Sequence, residues 1–205
     1  MAILEMQNTC FYDGLNPVIN DVSLTIEKGS VTAFLGEPGG GKSTALKLIS
    51  GVIVPSRGKV LYEGKEISSM NSKDNLAFRK KMAFMFQNSA LWANQSLYQN
   101  LELPLKLHFP DLAPEELDER IKEVAQLVDF LKPLSLRPAA LSTGEQKRIA
   151  LARALICKPE ILFLDEPTES LDEKTAMHII KILTDFCSQG HTLIYVSHDY
   201  AFINA

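Results

Sequence analysis

One eight-residue stretch, G-E-P-G-G-G-K-S from Gly36 to Ser43, constrains this chain more than any other. It fits the spacing G-x-x-x-x-G-K-[ST], and it lies between an apolar run, Val31 to Leu35, and a helical pattern reaching about Ser50. Glycines let backbone N–H groups approach a phosphate without a Cβ in the way, and the following helix directs its free N–H groups at the same anion. The stretch therefore predicts a phosphate-binding loop between a strand and a helix.

Two side chains of this loop have distinct predicted roles toward a nucleoside triphosphate. Lys42 is expected to bridge the β- and γ-phosphates, and the Ser43 hydroxyl is expected to ligate Mg²⁺. The predicted nucleotide-binding segment comprises the whole loop and the residue after it: Gly36, Glu37, Pro38, Gly39, Gly40, Gly41, Lys42, Ser43 and Thr44.

A second apolar run, Ile161 to Leu164, leads directly into two carboxylates, Asp165 and Glu166. Open α/β sheets bind ligands at the carboxyl ends of their strands, which is where these two side chains would lie. Asp165 suits the coordination shell of Mg²⁺, and Glu166 suits a general base that activates the attacking water. An apolar run ending in Asp-Glu is a weak signal alone, and it becomes strong beside the glycine loop.

Composition excludes several other classes of protein. The net charge of −4 at pH 7 argues against a surface built to neutralise the phosphates of a nucleic acid. The three cysteines form no closely spaced pair, which favours a reducing compartment over a disulfide framework or a zinc site. The longest uncharged stretch, Met82 to Leu101, holds too many amide and hydroxyl groups to span a membrane. We therefore expect a cytoplasmic protein with no nucleic-acid partner.

The order of hydrophobic patterns predicts an α/β fold in a single domain, residues 1–205. Short apolar runs predict strands buried on both faces of a mostly parallel sheet: Val31–Leu35, Met82–Phe86, Ile161–Leu164 and Leu193–Val196. Alternating apolar residues at 22–26 and 60–62 predict a half-covered antiparallel sheet near the N-terminus. Five apolar residues at helical spacing indicate one helix stripe: Leu117, Ile121, Val124, Val128 and Leu131. We place an inserted helical subdomain at about residues 94–140.

These motifs, in this order, resemble the ATP-binding-cassette (ABC) ATPases over nearly the whole chain. Leu141-Ser-Thr-Gly-Glu145 is similar to the LSGGQ signature of that family, and Gln87 matches its Q-loop glutamine. Ser170-Leu171-Asp172 matches the D-loop, and His198 matches the switch histidine. Tyr12 lies where the family places a ring that stacks on adenine, although ordinary packing of Tyr12, with Phe11 as the stacking ring, is the alternative.

The resemblance implies a P-loop NTPase core with an N-terminal antiparallel β subdomain and an inserted helical subdomain. It also implies Mg²⁺-dependent ATP hydrolysis in a head-to-tail homodimer, with Glu166, His198 and Gln87 as catalytic residues. His198 would contact the γ-phosphate, and Gln87 would sense the metal and the attacking water. Each ATP would be covered by residues of the other protomer, which the family places at these positions: Ser142, Thr143, Gly144, Glu145 and Asp172.

Two signature residues depart from the family pattern, since Thr143 replaces a glycine and Glu145 replaces the glutamine. Ser142-x-x-Glu145 is also a capping-box sequence, in which the glutamate accepts a hydrogen bond from the Ser142 backbone N–H. Glu145 in that position would keep its charge away from the nucleotide. Glu145 facing the nucleotide would instead repel the γ-phosphate and weaken closure of the dimer.

A further departure is length, because family members usually continue for a few tens of residues past the switch histidine. This sequence ends at Ala205, seven residues after His198. The protein is then either an unusually short member or a chain cut at this point. A cut is expected to expose apolar surface near Ala201, Phe202 and Ile203.

Transport would require separate transmembrane permease subunits and would place the chain at the cytoplasmic face of the inner membrane. Leu91 and Trp92 lie just after Gln87, where such subunits dock in the family, and they are either a docking surface or buried. The segments Phe86–Leu91 and Asn100–Pro104 look similar to ATPases of Mla/Mce-type lipid transporters, which suggests a phospholipid cargo. The alternatives are a nucleotide-driven clamp in a division or assembly complex and a module that binds but does not hydrolyse, against which Glu166 counts.

Overall fold

The computed structural model describes residues 1–198, so the predicted apolar surface at 201–203 lies outside the described residues. Eight strands and six α-helices make up this part of the chain. In order they are β1 (Ala2–Asp13), β2 (Asn16–Glu27), β3 (Val31–Phe34), α1 (Lys42–Ile49), β4 (Arg57–Tyr62), β5 (Lys65–Glu66), α2 (Ser72–Lys81), β6 (Met82–Met85), α3 (Leu97–His108), α4 (Pro114–Leu127), α5 (Thr143–Leu155), β7 (Ile161–Asp165), α6 (Glu173–Ser188) and β8 (Thr192–Val196).

The N-terminal part of the chain forms an antiparallel sheet with the strand order β2-β1-β4-β5. Alternating side chains of these strands pack into one apolar cluster with α1, as Leu4, Ile26 and Val60 show. Period-2 alternation is what a sheet covered on one face requires, because successive side chains point to opposite faces. The antiparallel sheet predicted from residues 22–26 and 60–62 is therefore confirmed.

The second sheet is parallel, with the strand order β3-β8-β7-β6. All five residues of β7 and of β8 are buried, as continuous apolar runs predict for central strands of a parallel sheet. The prediction of full burial is wrong for β3, since Val31 is 54% exposed. Within residues 1–198, β3 is an edge strand that pairs with β8 alone, so Val31 has no neighbouring strand on its other side.

The helices α3 and α4 lie within the segment predicted to form an inserted subdomain, whose boundaries stay a prediction. Leu117, Ile121 and Val124 of α4 and Val128 just after it are buried, as their spacing predicts. Leu131 is 84% exposed, so its inclusion in the stripe is wrong. The reason is that α4 ends at Leu127 and Asp129 adopts a positive φ of 54°, which turns the chain away. Among residues 1–198, no helix is both long and apolar enough to cross a bilayer.

Candidate functional site

The glycine loop connects β3 to α1 at the carboxyl edge of the parallel sheet. Lys42 folds back over the loop, and its ammonium donates to the carbonyl oxygens of Gly36 at 2.9 Å and Glu37 at 2.7 Å. Gly41 has a φ of +79°, and a Cβ added there would lie 2.9 Å from the carbonyl oxygen of Val18 in β2. Only glycine meets both conditions, so the loop owes its shape to packing against the antiparallel sheet.

The N-terminus of α1 is open to a ligand. Gly41 is its N-cap residue, and no side chain of the described residues caps the helix there. The first N–H groups of a helix lack partners within the helix, and the aligned peptide dipoles make this end positive. The arrangement suits a polyanion such as the triphosphate of a nucleotide.

Ser43 and Asp165 meet beside the loop although 122 positions separate them in the chain. The Ser43 hydroxyl donates to Asp165 Oδ1 at 2.8 Å, and the Asp165 side chain is buried. A hydroxyl and a carboxylate are hard oxygen donors of the kind Mg²⁺ prefers, and Mg²⁺ commonly takes few protein ligands beside phosphate oxygens and water. The donor set therefore fits the predicted metal.

Glu166 is the most constrained side chain of the site. Only 6% of the residue is exposed, and its carboxylate accepts a hydrogen bond from the His198 backbone N–H at 3.2 Å. The imidazole Nε2 of His198 lies 3.2 Å from the second carboxylate oxygen. Burial raises the pKa of the Glu166 carboxyl above its ordinary value because it disfavours the charged form. The residue also has a φ of +50°, a strained conformation costing about 1–2 kcal/mol.

Gln87 follows β6 at the same edge and donates from Nε2 to Glu169 Oε2 at 3.0 Å. Glu169 also forms an ion pair with Lys147, whose ammonium donates to the backbone carbonyl of Glu166 at 2.7 Å. The sequence predictions did not include Lys147 or Glu169. A signal existed, because Lys147 precedes the buried Leu151 by one turn of α5 and so occupies the inward face of that helix.

Together these elements enclose a cleft of about 460 Å³. Its lining includes the glycine loop, the base candidate and the ends of β6 and β8: Val18, Pro38, Gly39, Gly41, Lys42, Ser43, Thr44, Gln87, Glu166, Glu169, Val196 and His198. Residues from five separate parts of the chain thus converge at one edge of the parallel sheet, which is where such sheets bind ligands.

Five other predicted residues lie at two further helix starts, and in the described protomer none of them lines this cleft: Ser142, Thr143, Gly144, Glu145 and Asp172. Ser142 is the N-cap of α5 in a complete capping box, in which the Glu145 carboxylate accepts from the Ser142 N–H at 3.0 Å. Of the two positions considered for Glu145, the structure shows this one. Asp172 caps α6 and accepts from the Thr175 N–H at 3.0 Å.

Lys132 approaches Glu145 Oε1 at 2.7 Å, and this contact, with the hydrogen bond from Ser142, lowers the pKa of the Glu145 carboxyl. Hydrogen bonds from Thr175 likewise lower the pKa of the Asp172 carboxyl. Tyr12 lies near the end of β1, opposite Pro17, and is half-buried. Its ring is not part of the cleft wall formed by residues 1–198, so its predicted contact with adenine stays a prediction.

A parallel sheet with a glycine loop after one strand and an Asp-Glu pair after another defines the class of P-loop nucleotide-binding proteins. The sequence profile of the ABC transporter family matches residues 19–169, more than half of the chain. The chain belongs to this family and is one of its ATPase domains, as the resemblance in the motifs implied.

Individual relatives agree with this assignment. The methionine import ATP-binding protein MetN of Clostridium acetobutylicum is 36% identical over 96% of this chain, which spans 61% of that protein's length. The intermembrane phospholipid transport system ATP-binding protein MlaF of Escherichia coli K12 is 33% identical, with coverage of 96% of this chain and 73% of the relative. The dimeric post-hydrolysis structure of the cassette MJ0796 with ADP and Pi superimposes with a TM-score of 0.90 at 29% identity, covering 98% of this chain and 90% of the other.

Proposed function

We propose that this chain hydrolyses ATP as the energy-supplying subunit of a membrane transporter, working as a head-to-tail homodimer. The observation that supports this most is the convergence of an anion-binding loop, an oxygen donor pair and a buried carboxylate in one cleft. Binding alone would need only the first of these, and the other two are what hydrolysis requires in addition.

The triphosphate would lie along the glycine loop with its charge facing Lys42 and the start of α1. Lys42 then exchanges two carbonyl partners, those of Gly36 and Glu37, for phosphate oxygens. Ser43 and Asp165 would hold Mg²⁺, directly or through water, and an ion held there would supply positive charge against the phosphates. The exchange favours the bound state because a charge-assisted contact with phosphate is stronger than one with a neutral carbonyl.

Glu166 would take the proton from the attacking water. Its elevated pKa, caused by burial, makes the carboxylate a stronger proton acceptor than an exposed glutamate. The His198 backbone N–H holds one carboxylate oxygen and the His198 imidazole lies beside the other, and both residues line the cleft. His198 itself is well placed to contact the γ-phosphate from the end of β8.

The open cleft of one protomer supports the proposed dimer. The cleft is open, and the exposed Ser142, Thr143 and Asp172 lie outside it in their own protomer. In a head-to-tail arrangement these residues would cover the nucleotide bound to the partner. The dimeric form of the similar cassette MJ0796 supports this arrangement.

The decisive test is the Glu166→Gln variant, which keeps the shape of the side chain but cannot accept the proton. We expect hydrolysis to fall by about 100-fold or more, while size-exclusion chromatography with ATP and Mg²⁺ shows a stable dimer. The matched control is Glu173→Gln, an exposed carboxylate on α6, which should hydrolyse at the parent rate. Hydrolysis by Glu166→Gln at the parent rate would show that another group is the base.

A groove beside Gln87 is the surface that we propose for the membrane permease. It has a volume of about 410 Å³ and includes Phe84, Phe86, Trp92 and Arg153 in its lining. Trp92 is 44% exposed, and the Arg153 guanidinium lies 5.0 Å from the centre of its ring. Leu91 is half-buried, so of the two candidate docking residues Trp92 is the accessible one.

The loop that presents Trp92 is held by hydrogen bonds with the buried Asn100 and the half-buried Arg153. Asn100 accepts from the Trp92 N–H at 2.8 Å and donates to the Trp92 carbonyl at 3.2 Å. Arg153 donates to the carbonyl oxygens of Ser89 and Ala90, each at 2.8 Å, and burial lowers its pKa to about 10. An aromatic ring on a rigid backbone binds a partner at low entropic cost, which suits a docking surface.

Trp92 is the only tryptophan in the sequence, so its fluorescence reports on this groove alone. Adding the detergent-solubilised permease should shift the emission maximum or change its intensity, and Trp92→Phe should weaken the complex about tenfold. The exposed Leu15→Ala, in the turn between β1 and β2, serves as a control away from this groove. Unchanged fluorescence in a complex that forms by co-purification would place the permease on another surface.

For the cargo, we propose phospholipid. The support is the short similarity at 86–91 and 100–104 to Mla/Mce-type ATPases, together with the identity of 33% to MlaF. Purification from native membranes should yield the chain with a permease and a lipid-binding subunit at the cytoplasmic face. Reconstituted with them, it should move labelled phospholipid between vesicles only with ATP, and transport of methionine instead would contradict the proposal.

A further inference from the structure

Lys147 is a buried cation next to the site that neither the motifs nor the proposed mechanism uses. It lies in the second turn of α5 and is 2% exposed. Burying an ammonium group is costly unless hydrogen bonds and an opposite charge compensate, so its position calls for a reason. Burial also lowers the pKa of the Lys147 ammonium, which the nearby carboxylates partly offset.

The partners of Lys147 are both next to the base. Its ammonium donates to the backbone carbonyl of Glu166 at 2.7 Å, and it forms an ion pair with Glu169 at 3.8 Å. Glu169 in turn accepts from Gln87 at 3.0 Å. One buried charge thus connects α5 to the base at the end of β7 and to the loop after β6.

The backbone of Glu166 needs such support. With a φ of +50° the residue occupies a conformation that side chains other than glycine rarely adopt. Its N–H donates to the Val196 carbonyl at 3.0 Å on one side, and its carbonyl accepts from Lys147 on the other. Strained backbone persists only where its surroundings hold it, and these two hydrogen bonds hold both ends of the residue.

We propose that Lys147 is a positioning residue for ATP hydrolysis, which fixes the Glu166 backbone so that the carboxylate points into the cleft. The proposal rests on the role of Glu166 as base. Lys147 does not line the cleft formed by residues 1–198, so it acts through the residues that it contacts, and its shortest contact is with Glu166. Because Ser142 is the N-cap of α5, the same ammonium connects the base to the helix whose start would cover the partner's nucleotide.

The test compares Lys147→Met, which keeps the aliphatic stem and removes the charge and the donor, with Lys147→Arg, which restores both. We expect kcat to fall about tenfold or more in Lys147→Met, with KM for ATP changed less than about twofold. Lys147→Arg should recover a substantial part of kcat. The control is Lys181→Met, an exposed lysine on α6, which should match the parent.

A second measurement needs no nucleotide. The His198 backbone N–H donates to the Glu166 carboxylate, so its amide resonance in an NMR spectrum reports where that carboxylate lies. The resonance should move in Lys147→Met, return toward the parent position in Lys147→Arg, and stay in place in Lys181→Met. If the His198 amide resonance does not move in Lys147→Met and kcat equals that of the parent, the proposal is overturned. Lys147 would then contribute only to packing.

Two further variants separate this inference from its alternatives. In the Glu166→Gln background, Lys147→Met should leave ATP-dependent dimerisation unchanged, because the base is not needed for binding. A lost dimer there would mean that Lys147 supports α5 rather than the base. Parent-rate hydrolysis by Glu166→Gln alone would instead refute the base assignment. If Lys147→Met does not fold, Lys147→Gln takes its place. Its kcat and its His198 amide resonance then support or overturn the proposal in the same way.

Discussion

The helices α1 and α5 both begin within a glycine-containing motif, yet their N-termini differ in one physical respect. The start of α1 has Gly41 as its N-cap and, among the described residues, no side-chain cap, whereas α5 starts with a complete capping box of Ser142 and Glu145. The N–H groups of α1 remain available to an anion, while those of α5 are partly satisfied by their own chain. The first helix needs a ligand to complete it, and the second is stable without one.

The comparison explains why two carboxylates near one proposed nucleotide behave in opposite ways. Glu166 is desolvated and its pKa is raised, which suits a proton acceptor. Glu145 is held by Lys132 and the Ser142 N–H, and its pKa is lowered, which suits a structural anion. The position of Glu145 in the capping box thus turns its charge toward its own helix, so the departure from the signature pattern is compatible with binding in trans.

The largest expected effect comes from removing the cation that faces the open end of α1. Lys42→Ala should weaken ATP binding about 100-fold or more, because a charge-assisted contact with phosphate is lost. Isothermal titration calorimetry measures the affinity, and Lys47→Ala on the same helix is the control. Equal affinity in Lys42→Ala and the parent would mean that the open helix end is not the anion site.

The next effect tests the shape of the loop before α1. Gly41→Ala should destabilise the fold by about 2–3 kcal/mol, because it combines a strained φ with a clash; the new Cβ would lie 2.9 Å from the Val18 carbonyl oxygen. Gly39→Ala has a similar φ of +80° and open space around it, so its cost should be only about 1 kcal/mol. Urea unfolding measures the free energy of unfolding of both variants. An equal loss in the two would exclude packing against β2 as the cause of the loss in Gly41→Ala.

A smaller effect is expected at the capped helix. Ser142→Ala should lower the free energy of unfolding by about 1 kcal/mol, since one N–H at the start of α5 loses its acceptor. Ser142→Thr retains the hydroxyl and should lie within about 0.5 kcal/mol of the parent. A stability unchanged by Ser142→Ala would show that the capping box contributes nothing in solution and would remove the contrast with α1.

The smallest effect concerns the ion pair that holds Glu145. Lys132→Met should cost about 0.5 kcal/mol at pH 7, since Lys132 is half exposed. The folded-state pKa of Glu145 lies below its unfolded value, so this stabilisation is present above about pH 4.3 and is lost as pH falls through the folded pKa. Thermal unfolding of the parent and Lys132→Met from pH 7 to pH 3 measures this, and in a Glu145→Gln background the difference between the two should vanish at every pH.

Much of the fold was predictable because its signals are local. Continuous apolar runs predicted β6, β7 and β8, and alternation predicted the antiparallel sheet. The prediction that β3 is buried was wrong because a short apolar run such as Val31 to Leu35 looks the same in a central strand and at a sheet edge. The prediction that Leu131 is buried was wrong because the helical spacing of apolar residues continued by chance past the end of α4.

In the candidate site, too, contacts between near neighbours in the sequence were predictable and contacts between distant residues were not. The capping box of α5 was readable because its two members are three residues apart and their contact follows from helix geometry. The Gln87–Glu169 contact spans 82 positions and the Lys147–Glu166 contact spans 19. No spacing rule connects such pairs, so neither was predicted.

The chain's own order of residues determined the glycine loop, the Asp-Glu pair and the helix caps, because each depends on the backbone conformation of a few neighbours. Packing of α5 against the parallel sheet decided which cation meets Glu166, how deeply that carboxylate is buried and in which direction its pKa moves. Those properties depend on groups distant in the chain and on the exclusion of water, and both exist only once the whole sheet and its helices have assembled.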